Sequence, residues 1–213
     1  PSNYALGKLY TTSFYQRADQ VLAASGWIVV QTTSPLIARR SFWTVAATLE
    51  DVGYTAWPYH AGQSEPVVGR ALADGYREKV KLATKLPVRF AQTTADFDRF
   101  LNEQLKRLQT DHIDFYLLHG LNKRTWPKAL DLGVLQWAHE AKKSGRFLHL
   151  GFSFHDDFDV FKEIIDHTDQ WEFCQIQYNY MDIENQAGTR GLQYAAAKGL
   201  AVVPVRFWVS PKA

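Results

Sequence analysis

IDFYLL, residues 113–118, followed by His119 and Gly120, is the stretch whose reading decides the fold. Six aliphatic, aromatic and β-branched residues with one acid among them have the length and composition of a strand. On its N-terminal side, Thr93 and Asp96 form a capping pair for a helix that puts Phe97, Phe100, Leu101, Leu105 and Leu108 on one face. On its C-terminal side, a long helix is expected near 126–143, stopping around Gly145. A strand between two amphipathic helices is the unit of a parallel sheet.

The same unit repeats in both directions. Strands are expected at 27–32, 54–58, 79–84, 113–118, 147–152, 173–177 and 201–207. Helices are expected near 6–24, over 42–49 with Phe42, Val45, Ala46 and Leu49, and over 64–76 with Ser64 as cap and Pro66 in the first turn. Two more are expected near 157–166 and 188–198, the last closed by Gly199. Strands alternating with helices place the chain in the α/β class. The expected architecture is a parallel β/α barrel-like fold of seven strands, an incomplete or hybrid TIM barrel with an N-terminal helix. The alternative is an open doubly wound sheet. A barrel ordinarily needs about 250 residues, though about 200 can suffice. An unclosed barrel leaves two strand edges. The N-terminal helix, the tail at 204–213 or a second copy of the chain in a homodimer is expected to cover them.

With 213 residues, 46% hydrophobic and 22% charged, one globular α/β domain over 1–213 is expected. A net charge of +2 gives no reason to expect nucleic acid or an anionic membrane as partner. The single cysteine, Cys174, excludes an internal disulfide and a four-thiolate metal site. No apolar run has membrane-spanning length and no signal peptide is visible, so a soluble, cytoplasmic protein is expected. The opening Pro-Ser-Asn-Tyr, without Met, is the form expected of a trimmed or engineered chain. Arg39 and Arg40 read as a solvated helix start rather than a phosphate site.

Three polar residues stand at successive strand ends: Tyr59, Lys85 and His119. In a parallel β/α fold the C-terminal ends of the strands share one face, so these three converge. An ammonium beside a phenol favours phenolate and lowers its pKa. That prepares Tyr59 to act as a general acid towards a carbonyl oxygen, with neutral His119 orienting the carbonyl. Singly, each has a plainer reading: a packing Tyr, a solvated Lys, a satisfied His at a core edge. Their appearance on consecutive strands favours a site.

From about residue 55 to 203 the chain resembles an aldo-keto reductase of the bacterial predicted-oxidoreductase type. TAWPYHAGQSEPVVGRAL, KLATKLP, TDHIDFYLLHGL, LGFSFHD and FCQIQYNYM carry the likeness. The resemblance implies a β/α barrel, NADP(H) as cofactor, a small-molecule aldehyde or ketone as substrate, and hydride transfer between them. It makes Tyr59 the proton donor, with Lys85 and His119 as its catalytic partners. Ser153 and Gln175 then hold the nicotinamide carboxamide, and Tyr178 lies near the nicotinamide face.

Two positions depart from that pattern. Tyr54 stands where the family has the Asp that helps set the Tyr–Lys electrostatics. A lysine with no carboxylate beside it in a closed site tends to become neutral. Phe154 stands where the family has an Asn after the serine, which removes one carboxamide hydrogen bond. The family's later cofactor segment is expected to be missing, since the chain stops at Ala213.

Residues 1 to about 60 resemble a different family, the later Rossmann-like part of a spermidine synthase (polyamine aminopropyltransferase). PSNYALGKLYTTSFY, GWIVVQTTSPLIARRSFWTVAATLE and PYH carry that likeness. The two resemblances meet at YTAWPYH, residues 54–60. A right-handed βαβ unit from one fold can replace the first such unit of the other. The expectation is a hybrid α/β protein derived largely from an NADPH-dependent reductase, with its activity impaired. The alternative is a residual NADP-dependent carbonyl reductase that uses Tyr59.

Overall fold

The helix begun by Ser64 is shorter than its sequence pattern. The computed structural model describes residues 64–178 and 183–205, and the chain divides into two compact units, 1–80 and 81–213. In the first unit, α1 (Ser64–Ala71) stops five residues before the expected 76. Asp74 takes a left-handed φ of 58°, which a continuing helix cannot accommodate. A short 3₁₀ turn at Arg77–Lys79 follows, and the Arg77 guanidinium donates to the Val80 carbonyl at 3.1 Å. The strands expected at 27–32 and 54–58, the helices near 6–24 and 42–49, Arg39, Arg40, Tyr54 and Tyr59 lie outside the described residues.

The second unit contains β1 (Ala83–Leu86), α2 (Thr94–Leu108), β2 (Ile113–Leu121), α3 (Thr125–Asp131) and α4 (Val134–Lys143). It continues with β3 (Phe147–Phe154), α5 (Phe158–His167), β4 (Phe173–Gln177), α6 (Gly188–Ala197) and β5 (Ala201–Val205). Five strands are thus described where seven were expected. β1 replaces the strand placed at 79–84, because residues 77–79 are taken by the 3₁₀ turn. The helix expected over 126–143 is two helices. Gly133, at φ 71°, turns left-handed between them, a conformation that costs glycine little.

All four strand pairings are parallel, and the order is β1-β2-β3-β4-β5. A doubly wound sheet requires the strand order to reverse. The described strands run in sequence order throughout, as in a barrel wall, which removes the doubly wound alternative for them. Right-handed crossovers in that order put the helices on one face.

On the helix side the core is aromatic. Tyr116 stacks on Phe147 at 5.1 Å, Phe97 meets Trp137 at 5.3 Å, and Phe152 meets Trp171 at 4.9 Å. Polar groups within this layer are paired. The Tyr116 hydroxyl donates to Gln104 Oε1 at 2.7 Å, while Gln104 Nε2 donates to the Thr84 hydroxyl at 3.3 Å and the Lys85 carbonyl at 2.9 Å. The Thr93–Asp96 capping box is formed, and the Asp157 carboxylate caps α5 by accepting from the Asp159 and Val160 N–H groups. Gly151 is dictated by sheet closeness. A Cβ there would lie 2.6 Å from both the ring and the carbonyl oxygen of Phe173 on β4.

Candidate functional site

Strand alternation places Lys85, Leu117, Gly151 and Phe173 in one row across the sheet, since Lys85 pairs with Leu117, Leu117 with Gly151 and Gly151 with Phe173. One step towards the C-terminal ends, Ser153 pairs with Gln175 and Gln175 with Val203. One row nearer the strand N-termini Phe115 pairs with His149, its ring stacked on His149 at 5.0 Å and edge-on to Phe173 of the row above at 5.4 Å. The upper, C-terminal rows therefore hold the polar side chains and the lower rows hold packing.

Lys85 lies inside β1 rather than after it, and His119 lies inside β2, which runs on to Leu121. Burial lowers the Lys85 pKa to about 8. Burial also takes His119 down to about 4, helped by the positive charges of Lys85, His155 and Arg89. His119 is neutral at pH 7, as its expected role requires. Lys85 remains mostly protonated at that pH. The charge of Lys85 lowers both His119 and His155, so the two histidines lie within electrostatic reach of Lys85 near the strand C-termini.

Ser153 is buried, and its Oγ accepts the Gly120 N–H at 2.8 Å. Its hydroxyl proton is the donor it can offer. Gln175 is half-buried beside it in register. The Tyr178 hydroxyl lies 3.5 Å from the Thr189 hydroxyl, so it reaches α6. Phe154 is fully buried with its ring 5.0 Å from Phe161 of α5. The residue at the Asn position thus belongs to the helix-side core.

The loops above these strands are stapled together. Asn122 Oδ1 accepts from the Arg124 and Thr125 N–H groups, and the Thr125 hydroxyl donates to the Gly120 carbonyl at 2.9 Å. The Lys123 N–H donates to Asp156 at 2.9 Å, and the His155 N–H to the Leu121 carbonyl at 3.2 Å. These bonds fix the chain on both sides of His119 and Ser153. His155, Gln177 and Gln186 were not expected from the sequence. Gln186 Nε2 donates to Gln177 Oε1 at 3.2 Å, and Gln186 Oε1 lies 3.3 Å from His155 Nδ1. The one sequence signal was the position of His155, two residues after Ser153 and directly after the end of β3.

Among the described residues, no group of three or more His, Cys, Asp or Glu could hold a metal ion. In the same residues, no helix is long and apolar enough to cross a membrane. Cys174 is buried in β4 with its thiol pushed up to about 12, which leaves it unreactive.

A model of the aldo/keto reductase family matches residues 42–208. An aldo-keto reductase from Bacillus halodurans, in its holo form, is similar at 28% identity over 66% of this chain and 47% of its own, with a TM-score of 0.56. An aldo/keto reductase from Klebsiella pneumoniae in complex with NADP and acetate matches 94% of this chain and 58% of its own at a TM-score of 0.55. Its 21% identity speaks to the fold alone. Curated relatives of a second kind also match. Polyamine aminopropyltransferase 2 of Ralstonia nicotianae is 51% identical over 61 residues, 29% of this chain and 12% of its own. The polyamine aminopropyltransferase of Leptospira interrogans is 33% identical over 144 residues, 62% of this chain and 27% of its own. The chain thus spans about a quarter or less of these transferases, and about half of the two reductases.

Proposed function

This chain belongs to the aldo/keto reductase family, and we propose that it carries a weakened NADP(H)-dependent carbonyl-reductase site within a hybrid α/β chain. The observation that carries the reading is the cluster of Lys85 and His119 beside Ser153 and Gln175, on neighbouring parallel strand ends. The two kinds of relative support the hybrid.

The residues present suit the nicotinamide end of the cofactor. Ser153 offers a hydroxyl proton, and Gln175 offers both an amide donor and an acceptor. The cofactor would supply a hydride to a small aldehyde or ketone. Tyr59 would donate a proton to the carbonyl oxygen, made more acidic by the charge on Lys85. Neutral His119 would donate a hydrogen bond to that oxygen. Weakening follows from two positions: Tyr54 replaces a carboxylate, and Phe154 turns a polar contact into packing.

Turnover of a simple aromatic aldehyde with NADPH is the test. Tyr59→Phe is expected to lower it about a hundredfold or more, within the usual contribution of a general acid. The rate of the parent chain is expected to fall as pH rises through about 8, where Lys85 loses its charge. Turnover indifferent to Tyr59→Phe contradicts the assignment.

A further inference from the structure

β1 and β2 end their pairing at Leu86 and Leu118. His119 is the next residue on β2, and just beyond Leu86 a 3₁₀ turn forms over Val88–Phe90. That turn packs against β2 and α3. Its backbone is held at several points. Val88 is fully buried, the Phe90 N–H donates to the Pro87 carbonyl at 3.0 Å, and the Ala91 N–H donates to the Val88 carbonyl at 3.1 Å. Lys128 of α3 donates through Nζ to the Arg89 carbonyl at 3.0 Å. On this fixed backbone the side chains of Arg89 and Phe90 stand exposed, Phe90 at 56%. The Arg89 guanidinium lies over the Phe90 ring, 4.3 Å from its centroid. Stacking engages the flat face of a guanidinium and leaves its in-plane N–H groups to other partners. Among the described residues, no carboxylate forms an ion pair with Arg89. The basic residues nearby have other work: Lys123 and Arg124 act on the Asp156 carboxylate, and Lys128 holds the Arg89 carbonyl. After burial and the charges of Lys85 and His155, the Arg89 charge is the next influence on His119.

We infer that Arg89 and Phe90 form a subsite for the far end of the substrate, and that the substrate class is an aromatic aldehyde or ketone carrying a carboxylate. The inference rests on the reductase reading for the place of the carbonyl, at His119. A guanidinium offers paired N–H groups that meet both oxygens of a carboxylate in one plane. The exposed Phe90 ring offers apolar surface for the body of the molecule beside that pair. A substrate held at both ends is fixed in orientation, which is what a reacting carbonyl needs. Arg89 makes and breaks no bond in this role.

The test compares para-formylbenzoate with its neutral methyl ester as substrates of the full chain with NADPH. The acid is expected to exceed the ester about tenfold in kcat/KM, the worth of one charge-assisted pair, and chiefly through KM. Arg89→Met is expected to bring that ratio close to one, and Arg89→Lys to keep part of it. A ratio near one in the parent chain, or a ratio that Arg89→Met leaves unchanged, overturns the inference. If neither aldehyde turns over, the reductase reading falls and binding decides the subsite. Benzoate titrated into the ¹⁵N-arginine-labelled chain is expected to move the Arg89 Nε–H resonance, assigned with Arg89→Met, and inorganic phosphate to move it less. That result supports the carboxylate subsite without the reductase reading. An Arg89 resonance unmoved by benzoate, or moved as far by phosphate, overturns it.

Discussion

Lys85 carries its ammonium at a cost. Its pKa falls from 10.5 to about 8 by burial, a difference worth about 3 kcal/mol at 1.36 kcal/mol per unit. The sign follows from linkage. The unfolded chain holds the proton more tightly, so the full cost is present below pH 8 and fades as pH rises towards 10.5. Chemical unfolding of Lys85→Met is therefore expected to lose part of the gain that the parent chain shows between pH 8 and 10. Parallel pH profiles for the two would contradict the burial account. At Gly151 the argument is steric rather than electrostatic. A methyl group would meet Phe173 at 2.6 Å, half of that contact being backbone that cannot swing aside. Gly151→Ala is expected to cost about 1–3 kcal/mol in urea unfolding, the usual range for overpacking. Lys85 and His119 were legible because each stands near a strand end, and parallel strands bring such ends together, whereas Ser153 and Gln175 came only from the resemblance to the reductase family. His155, Gln177 and Gln186 were not legible, because their meeting depends on where the loop before α6 returns. No periodicity encodes that.

Elements were legible where the local signal was strong, and displaced where a turn competed. β4 lies at Phe173–Gln177 as expected, and the Thr93–Asp96 capping box starts α2. The errors fall at breaks: Asp74 stops α1 early, and Gly133 divides one expected helix in two. In both, a left-handed residue outweighed an unbroken apolar period. The tie between α2 and the sheet is a buried polar one. Gln104 of α2 links Tyr116 on β2 with Thr84 and the Lys85 carbonyl on β1. Gln104→Leu keeps the bulk and removes the amide. Hydrogen bonds of three groups are lost at once, and about 1–3 kcal/mol of stability is expected to go with them. The same variant is expected to disturb β1 at Lys85. A thermal or urea midpoint equal to that of the parent would show that these bonds contribute nothing net.

Across the whole molecule, strand order is what separates the barrel wall from the doubly wound sheet, and strand order is invisible in the alternation of helices and strands. Five parallel strands run in sequence order, and the family model matches residues 42–208; the proposed site lies at the C-terminal ends of those strands, where barrel enzymes keep theirs. The second set of relatives, the aminopropyltransferases, matches part of the chain, 61 residues in the Ralstonia nicotianae protein. In the proposed reading, a hybrid chain keeps nicotinamide-side residues and still loses rate, because binding and proton transfer depend on different side chains. Titration of NADPH into the full chain, followed by cofactor fluorescence, tests the central claim most directly. Saturable binding that weakens at least fivefold in Ser153→Ala, about 1 kcal/mol and the typical worth of one hydrogen bond, is the predicted result. No saturation at millimolar NADPH, or saturation unchanged by Ser153→Ala, would contradict it.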